Sequence, residues 1–251
     1  MKLRTKNYKP KTTYSGWLKF LLRSITNFLF PPLCFGCNEE IEEGLICESC
    51  RLLLFTSELD VCRRCGRPCL PDHWVCGRCQ IPIALSRVRA VGLYRPPISE
   101  LIQALKYQQK TALVSILGAA LALLLEQDSQ LKSADGICAV PLHPARLRER
   151  GYNQAHLLAR EVAEVTQIPL LDPLIRIRNT KSQTDMKNEK ARMENVFDAF
   201  AVKSGVKFRG ERLILVDDVM TTGATISAAA KELRGAGAGE IMGLVLAAAI
   251  Y

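Results

Sequence analysis

The sequence predicts an α/β fold in which a mostly parallel sheet is flanked by helices and preceded by a small cysteine-rich module. Two observations support this prediction. From residue 87 onwards, apolar runs of strand length alternate with segments of helical periodicity, which is the pattern of a parallel sheet with helical crossovers. Nine of the ten cysteines lie between Cys34 and Cys79, so the module differs in composition from the rest of the chain.

The positive charge of the chain is concentrated near its N-terminus. The 251 residues have room for one large and one small domain, and a hydrophobic content of 48% is sufficient for a core. The net charge is +9, but seven basic residues precede the first acid, Glu39, so by subtraction the remainder carries only +2. A basic tail of this kind contacts nucleic acid or an anionic membrane in some proteins, and in more of them it is a solvated terminus.

Residues 1–30 are predicted to be this basic tail followed by an amphipathic helix. Apolar residues recur at helical spacing within residues 17–30, while Lys19 and Arg23 lie off that face. Such a helix docks on its own domain or lies on a membrane, and we favour docking, which limits any membrane contact to a peripheral one. Because no secretory cleavage site follows and no apolar run reaches membrane-spanning length, we expect a cytoplasmic protein.

Residues 31–82 are predicted to form a double zinc ribbon. Each Cys-x-x-Cys pair supplies two thiolates from one knuckle turn, and two pairs complete a tetrahedral shell. The eight predicted ligands are Cys34, Cys37, Cys47, Cys50, Cys62, Cys65, Cys76 and Cys79. We expect two structural Zn²⁺ ions, because four thiolates close the shell and about 45 residues have too little core to fold without metal. The spacing permits either sequential or interleaved pairing of the four motifs.

Residues 83–251 are predicted to form the α/β domain. The expected strands are residues 87–94, 136–140, 195–202, 213–216 and 241–250. The expected helices are residues 97–107, 112–126, 154–165 and 226–233. Several of the strands are apolar without alternation, which indicates burial on both faces of a sheet.

One stretch, residues 213–225, combines a buried strand with a polar loop. Four apolar residues are followed by Asp217 and Asp218, and a loop of hydroxyl residues and Gly223 then leads into a predicted helix. Backbone N–H groups at a helix N-terminus bind anions, and a glycine lets the backbone approach the ligand. The loop therefore suits a phosphate, and the carboxylates suit sugar hydroxyls. An ordinary connection capped by Thr225 is the alternative, but two acids ending a buried strand argue against it.

A second polar segment, residues 141–154, follows the strand predicted at residues 136–140. It is expected to be a loop that is bracketed by prolines and rich in arginine. At the carboxyl end of a parallel strand, such a loop suits a polyanion such as a diphosphate. Taken singly, its arginines also fit an exposed basic turn, and His143 also fits a capping role.

The stretch 213–225 closely resembles the phosphoribosyl-pyrophosphate (PRPP) signature of type I phosphoribosyltransferases, which consists of four apolar residues, two acids and a Thr/Gly loop. Further motifs narrow the resemblance to the ComF/GntX family, whose members resemble phosphoribosyltransferases with an N-terminal zinc module. These motifs are the cysteine pairs, residues 104–107, 140–144 and 148–154, Thr180 with Gln183, and Arg192 with Asn195. The resemblance extends from about residue 31 to the end of the chain.

This resemblance implies a type I phosphoribosyltransferase fold and assigns roles to residues by position. Asp217 and Asp218 would hold the ribose hydroxyls, while Leu142, His143 and Arg146 would face the diphosphate. The 5′-phosphate would be held by the loop residues Thr221, Thr222, Gly223, Ala224 and Thr225. Mg²⁺ would accompany PRPP and bridge its oxygens.

Many members of the family are linked to natural competence. The resemblance therefore implies a PRPP-binding protein that acts in the internalisation or handling of transforming DNA, with single-stranded DNA and competence proteins as partners. Residues 175–195 would supply a mobile flap over the site. The sequence leaves the oligomeric state open.

Two alternatives to this role stay open. One is an active phosphoribosyltransferase in nucleotide salvage, which would displace diphosphate from the anomeric carbon with a nitrogen nucleophile. The other is a sensor that binds PRPP or a nucleotide without turnover. Met220 stands where some relatives have an acid near the reacting base, so we assign no catalytic residue.

Overall fold

A computed structural model of the protein describes residues 31–55, 62, 64, 84–179 and 198–249. The tail and helix predicted at residues 1–30 lie outside the described residues. The same is true of Cys65, Cys76 and Cys79 and of the greater part of the predicted flap.

Strands and helices alternate along the described chain. The helices are α1 (Glu48–Phe55), α2 (Ile98–Tyr107), α3 (Leu113–Gln127), α4 (Ser129–Lys132), α5 (Pro144–Arg150), α6 (Gln154–Thr166) and α7 (Ala224–Gly235). The strands are β1 (Arg87–Leu93), β2 (Gly136–Ala139), β3 (Leu170–Leu171), β4 (Leu174–Arg176), β5 (Phe200–Val202), β6 (Leu213–Met220) and β7 (Ile241–Ala248). None of the described helices is long and apolar enough to cross a membrane.

Five strands form one parallel sheet in the order β1–β7–β6–β2–β3, which confirms the predicted fold class. Strands β6 and β2 are neighbours, with Ala139 of β2 opposite Val216 of β6. Because the strands are parallel, the segments that follow β2 and β6 begin side by side at one edge of the sheet. This topology brings the two polar segments that the sequence singled out to the same place.

The sheet is buried on both faces, which explains the unbroken apolar runs of its strands. In β6, Ile214 and Val216 join one core cluster, while Leu213 and Leu215 join the other. Helices α2, α3 and α6 cover the first face and α7 covers the second. Successive residues of a strand point to opposite faces, so each face needs its own apolar set.

The prediction of a loop over residues 141–154 is wrong, because the segment contains helix α5. Pro144 occupies the first turn of the helix, where a missing N–H costs nothing. His143 precedes it as the N-cap, and its Nδ1 accepts a hydrogen bond from the Ala145 amide at 3.2 Å. Gly151 ends the helix in the left-handed conformation, with a φ of 85°. The sequence does not reveal this helix because its seven residues, about two turns, include too few apolar side chains to show a period.

Two strand bounds also differ from the sequence-based expectation. Strand β6 does not end at the acid pair but continues to Met220, since Met220 still pairs with Ala248 of β7. The strand predicted at residues 195–202 is reduced, among the described residues, to β5. It pairs antiparallel with β4 outside the main sheet, and Asp198 before it has a left-handed φ of 51° that interrupts extended backbone.

The cysteine-rich module packs against the sheet domain. Leu54 of α1 belongs to the core cluster formed by α2, α3 and α6, and Phe35 packs against the same cluster. On the other side, Cys62 is fully buried in the cluster beneath α7. The amide of Val88 in edge strand β1 donates a 2.7 Å hydrogen bond to the carbonyl of Arg64. Both described parts of the module, residues 31–55 and the pair Cys62 and Arg64, therefore contact the α/β domain.

Candidate functional site

The loop between β6 and α7 has the geometry of an anion site. Gly223 has a φ of 84° and stands at the N-cap of α7, whose first amides are directed towards the loop. The hydroxyl of Thr222 accepts a 3.3 Å hydrogen bond from the amide of Ala224. A cavity opens here, lined by Asp217, Thr221, Gly223 and Thr225 together with apolar residues of β6, α7 and β7. Of the five predicted loop residues, the structure thus brings Thr221, Gly223 and Thr225 together with the first acid around one cavity, whereas Thr222 and Ala224 do not line it.

The two adjacent acids have different environments. Asp217 is partly exposed and lines the cavity, and its Oδ1 accepts a 2.8 Å hydrogen bond from the amide of Asp218. Asp218 is only 4% exposed. Its Oδ1 lies 2.8 Å from Lys106 Nζ, and its Oδ2 accepts a 2.6 Å hydrogen bond from Gln154 Nε2. Consecutive residues of a strand point to opposite sides, and this separates the roles available to the pair.

Electrostatics distinguish Asp217 further. Desolvation by the protein that surrounds this half-buried side chain, followed by the negative charge of Asp218, raises the pKa of Asp217 to about 7. Lys106, the amide of Asp218 and Arg176 act in the opposite direction. At neutral pH this carboxyl group is therefore poised between its protonated and ionised forms, so that a bound hydroxyl or cation would shift the balance.

Arg176 of β4 adds a cation that sequence reasoning did not assign to the site. Its guanidinium lies 5.3 Å from the ring centroid of Phe200. Burial lowers the pKa of Arg176, Asp217 raises it and Arg146 lowers it, so the three charges interact across the site. The antiparallel pairing of β4 with β5 positions this residue. The sequence does not predict it, because a three-residue strand outside the main sheet is too short to show a pattern.

The basic segment after β2 is held by its own caps. His143 caps α5 through Nδ1, as described above. Asn153 donates a 3.0 Å hydrogen bond from Nδ2 to the carbonyl of Val140, and its Oδ1 accepts one from the amide of Ala155 at the start of α6. These bonds fix both ends of the segment, so that Leu142 and Arg146 are carried on a rigid turn and helix at the carboxyl edge of the sheet.

Lys106 and Gln154 are two further site residues that sequence reasoning missed. Both belong to motifs quoted above, but a lysine in the last turn of a helix ordinarily complements the helix dipole, and a glutamine at a helix start gives no signal of its own. Only the packing of α2 and α6 over β6 brings them to Asp218. The structure shows these contacts as two short distances to the Asp218 carboxylate, and no sequence pattern predicts them.

The first four predicted zinc ligands form one cluster. The sulfur atoms of Cys34, Cys37, Cys47 and Cys50 all lie within 4.8 Å of one another, and Cys37 Sγ is 3.6 Å from Cys47 Sγ. A tetrahedral shell with Zn–S bonds of about 2.3 Å requires sulfur atoms about 3.8 Å apart, so the donors fit Zn²⁺. This resolves the pairing for the first ion as sequential.

Backbone amides prepare this cluster for a metal. The sulfur of Cys34 accepts hydrogen bonds from the amides of Cys47 and Gly36 at 3.2 and 3.3 Å. Burial opposes ionisation of Cys34, but the amides outweigh it and lower its pKa to about 7. Burial and the neighbouring thiols raise the pKa of Cys50. One thiolate is therefore available near neutral pH before the ion binds, and the others ionise as it binds. Of the second predicted set, the structure describes only Cys62.

Comparison with known protein families agrees with this architecture. Residues 25–80 match the double zinc ribbon domain, and residues 149–250 match the phosphoribosyl transferase domain. The second range contains α6, β6, α7 and β7, and therefore the acid pair and the loop that follows it.

Three relatives of known name are similar to most of the chain. DNA utilization protein YhgH of Escherichia coli K12 is 32% identical over 218 residues, which cover 84% of this chain and 94% of that protein. Competence protein F of Haemophilus influenzae is 33% identical over 83% of this chain and 93% of that protein. Competence protein ComFC of Bacillus subtilis is 31% identical over 74% of this chain and 76% of that protein.

Proposed function

Because the chain belongs to the ComF family, as its similarity to these competence and DNA-utilization proteins shows, we propose that it binds PRPP at the carboxyl edge of its sheet and acts in natural competence. Its role there is the internalisation or handling of transforming DNA. Competence function is taken from the names of the relatives, while the ligand is inferred from the site and from the phosphoribosyl transferase domain.

One observation supports the ligand most strongly: three kinds of group converge at one sheet edge. The acid pair ends in a loop at the N-terminus of α7, and the basic segment carried by α5 follows the neighbouring strand β2. PRPP has a ribose with two free hydroxyls, a 5′-phosphate and a diphosphate. Carboxylates accept hydrogen bonds from the ribose hydroxyls. The amides of a helix N-terminus and threonine hydroxyls bind a phosphate, and arginines bind a diphosphate.

Within this proposal, each group has a place. The acid pair, Asp217 and Asp218, serves the ribose end. The 5′-phosphate is bound by Thr221, Thr222, Gly223, Ala224 and Thr225. The turn Leu142–His143 and Arg146 face the diphosphate. Mg²⁺ is carried mainly by the diphosphate and ribose oxygens of PRPP, and the partly exposed carboxylate of Asp217 is a protein oxygen suited to it.

The zinc module is proposed to be structural and to present a surface to other molecules. The first ion is held by the four clustered cysteines, and a second is proposed for the set that contains Cys62. Closed four-thiolate shells leave no position for a substrate. Single-stranded DNA and other competence proteins are the partners that we propose for this module and the basic tail, in the cytoplasm.

PRPP is turned over only if an acceptor, such as a nucleobase, displaces its diphosphate. Met220 is only 3% exposed, and it gives the reacting carbon no acid or base. Binding energy and positioning alone would have to supply catalysis. An active salvage enzyme would release diphosphate from PRPP in the presence of a nucleobase, and a sensor would bind PRPP without releasing it.

Calorimetry with PRPP and Mg²⁺ tests the proposal. The wild-type protein should bind PRPP, and the double variant Asp217→Ala, Asp218→Ala should not, although it stays folded and zinc-loaded. Asp172→Ala is the matched control, since Asp172 is an exposed acid paired with Lys203. In a transformable host, Asp217→Ala should lower transformation while DNA binding at the surface continues. A zinc-loaded wild-type protein that binds no PRPP would refute the ligand.

A further inference from the structure

Both carboxylate oxygens of Asp218 have partners within the protein. Lys106 Nζ lies 2.8 Å from Oδ1, and Gln154 Nε2 donates to Oδ2 at 2.6 Å. The residue is 4% exposed, and it does not line the cavity beside the loop. Both oxygens of Asp218 are thus engaged by groups inside the protein, and the buried residue offers a ligand less accessible surface than the partly exposed Asp217.

The two residues that engage Asp218 are themselves held in place. Arg150 donates a hydrogen bond from its guanidinium to Gln154 Oε1, and this fixes the amide so that its Nε2 faces Asp218. The same guanidinium lies 5.5 Å from the ring centroid of Tyr107. Beside Lys106, the carbonyl of Leu105 accepts a hydrogen bond from the hydroxyl of Tyr152.

These contacts join the end of α2 to the start of α6. Residues 105–107 and 150–154 belong to two of the motifs quoted in the sequence analysis, and neither motif has a role in the binding of PRPP as proposed above. We call them together the α2–α6 clamp. The clamp closes over one end of β6, and Asp218 is the point on the strand where it attaches.

Asp217 stands outside the clamp. It lines the cavity with Thr221 and Thr225, and it is partly exposed where Asp218 is buried. Its Oδ1 accepts a 2.8 Å hydrogen bond from the amide of Asp218. Of the two acids, Asp217 is therefore the one that a ligand in the cavity meets first.

We infer that Lys106 and Gln154 are positioning residues, which hold Asp218 as an anchor inside the protein so that Asp217 alone meets the ribose hydroxyls. This inference rests on the proposed function. That proposal assigned the ribose to both acids, whereas here Asp217 contacts the ribose and Asp218 anchors the strand. The clamp contributes to binding by setting the strand end and the loop after it at a fixed distance from the basic segment on α5.

Charge neutralisation of the anchor explains why Lys106 matters to the ligand. With Lys106 replaced by a neutral residue, Asp218 would be a buried and uncompensated negative charge next to Asp217. That charge would repel the phosphates of PRPP and favour the protonated form of its neighbour. With both charges of the pair removed, neither effect arises and Asp217 keeps its surroundings.

Four proteins test this division by calorimetry with PRPP and Mg²⁺ at pH 7.5. Relative to wild type, Asp217→Asn should bind about thirtyfold more weakly or worse, and Lys106→Met about tenfold more weakly. The double variant Lys106→Met, Asp218→Asn should recover to within about threefold of wild type. If the double variant binds as weakly as Asp217→Asn, Asp218 is itself a ribose ligand and the inference is wrong.

A measurement on the wild-type protein avoids any loss of folding in the variants. With ¹³Cγ-labelled aspartate, addition of ribose 5-phosphate should move the Asp217 carboxyl resonance and leave that of Asp218 in place. Equal movement of both resonances would overturn the division.

The outcome also separates this inference from the proposed function. Failure of the zinc-loaded wild type to bind PRPP would remove both the ligand and the ribose role of Asp217. The anchoring role would then be decided by urea unfolding, in which the double variant should unfold at a higher urea concentration than Lys106→Met. Equal midpoints would show that Lys106 does not compensate Asp218.

Discussion

Gly36, in the first zinc knuckle, lies directly against Pro97 at the start of α2. A Cβ at position 36 would be 2.7 Å from the Cβ of Pro97 and 2.9 Å from the sulfur of Cys50. Neither neighbour can yield, because Pro97 is rigid and Cys50 is a predicted zinc ligand. The glycine therefore allows the knuckle both to close around a metal and to touch the α/β domain.

Other residues of the first ribbon also contact the α/β domain. Leu54 of α1 shares a core cluster with Leu101 and Leu117, and Lys110 lies 5.0 Å from the ring centroid of Phe35. The first ribbon thus contributes part of the apolar cover of the sheet domain. We therefore expect the ribbon and the α/β domain to unfold together, and the first two predictions test this coupling.

Gly36→Ala should destabilise the protein by about 1–3 kcal/mol, because the added methyl group overpacks the contact with Pro97 and Cys50. Urea unfolding measures the loss. Gly235→Ala is the matched control, since nothing lies within 4 Å of a Cβ at that position. An unchanged midpoint for Gly36→Ala would mean that the knuckle does not press on the α/β domain.

Removal of zinc should lower the stability of the entire chain by several kcal/mol rather than melt the ribbon alone. Metal binding supplies the folding free energy of such modules, and here Leu54 and Phe35 tie the module to the main core. Scanning calorimetry with a chelator and a reductant should show one transition at a lower temperature. A separate early transition with an unchanged main peak would contradict the coupling.

Substitution of single cysteines tests which of them bind zinc. Cys47→Ser should lower bound zinc by about one ion per chain, as four thiolates are needed to close the shell. Cys138→Ala should leave the zinc content unchanged, because Cys138 is fully buried in the core and burial raises its pKa to about 12. Zinc measured after unfolding with a colorimetric chelator distinguishes the two.

Gly223→Ala should weaken PRPP binding by about tenfold, because a φ of 84° is unfavourable for alanine by about 1–2 kcal/mol and the loop would shift away from the phosphate. Gly205→Ala has a similar φ of 83° in open space, so it should cost comparable stability without affecting affinity. Calorimetry and thermal unfolding on both variants separate strain from binding. If Gly223→Ala and Gly205→Ala bound PRPP with equal affinity, the loop would not be part of the phosphate site.

Asp217→Asn should stabilise the ligand-free protein at pH 8 and weaken PRPP binding by about thirtyfold or more. Since the folded-state pKa of Asp217 is raised to about 7, its contribution to stability is present at acid pH and is lost as the pH rises through 7. The amide mimics the protonated acid, so the variant should gain stability over wild type at pH 8, by at most about 4 kcal/mol for a pKa raised by about three units. The gain should shrink as the pH falls below 7 and approach zero near pH 4, where the carboxyl group is protonated in both the folded and the unfolded protein.

The charged groups that bear on Asp217 come from three elements: Asp218 on its own strand, Lys106 from α2 and Arg176 from β4, with Arg146 of α5 acting on Arg176. Asp172→Asn, at an exposed acid, should show no comparable pH-dependent gain. Thermal unfolding at the two pH values is sufficient. A gain for Asp217→Asn that is equal at both would show that the carboxyl group titrates normally.

Much of the fold could be predicted because it depends on local patterns. Unbroken apolar runs identified β6 and β7, and periodicity identified α2, α3 and α6 to within two residues at each end. Cysteine spacing identified the ligands that cluster in the first ribbon. Helix α5 and strands β4 and β5 were missed or misplaced, because elements of three to seven residues are set by caps and by pairing with distant chain rather than by their own period.

The candidate site divides in the same way. By itself, the sequence determined the acid pair, the loop after it and the knuckle cysteines, since each is a contiguous motif whose residue types are required by the chemistry. Only the tertiary structure decided that Lys106 and Gln154 enclose Asp218 while Asp217 faces the cavity. These contacts span 112 and 64 residues of chain, as the numbering shows. They exist because α2 and α6 pack over β6, and no local pattern specifies which side chains such packing brings together.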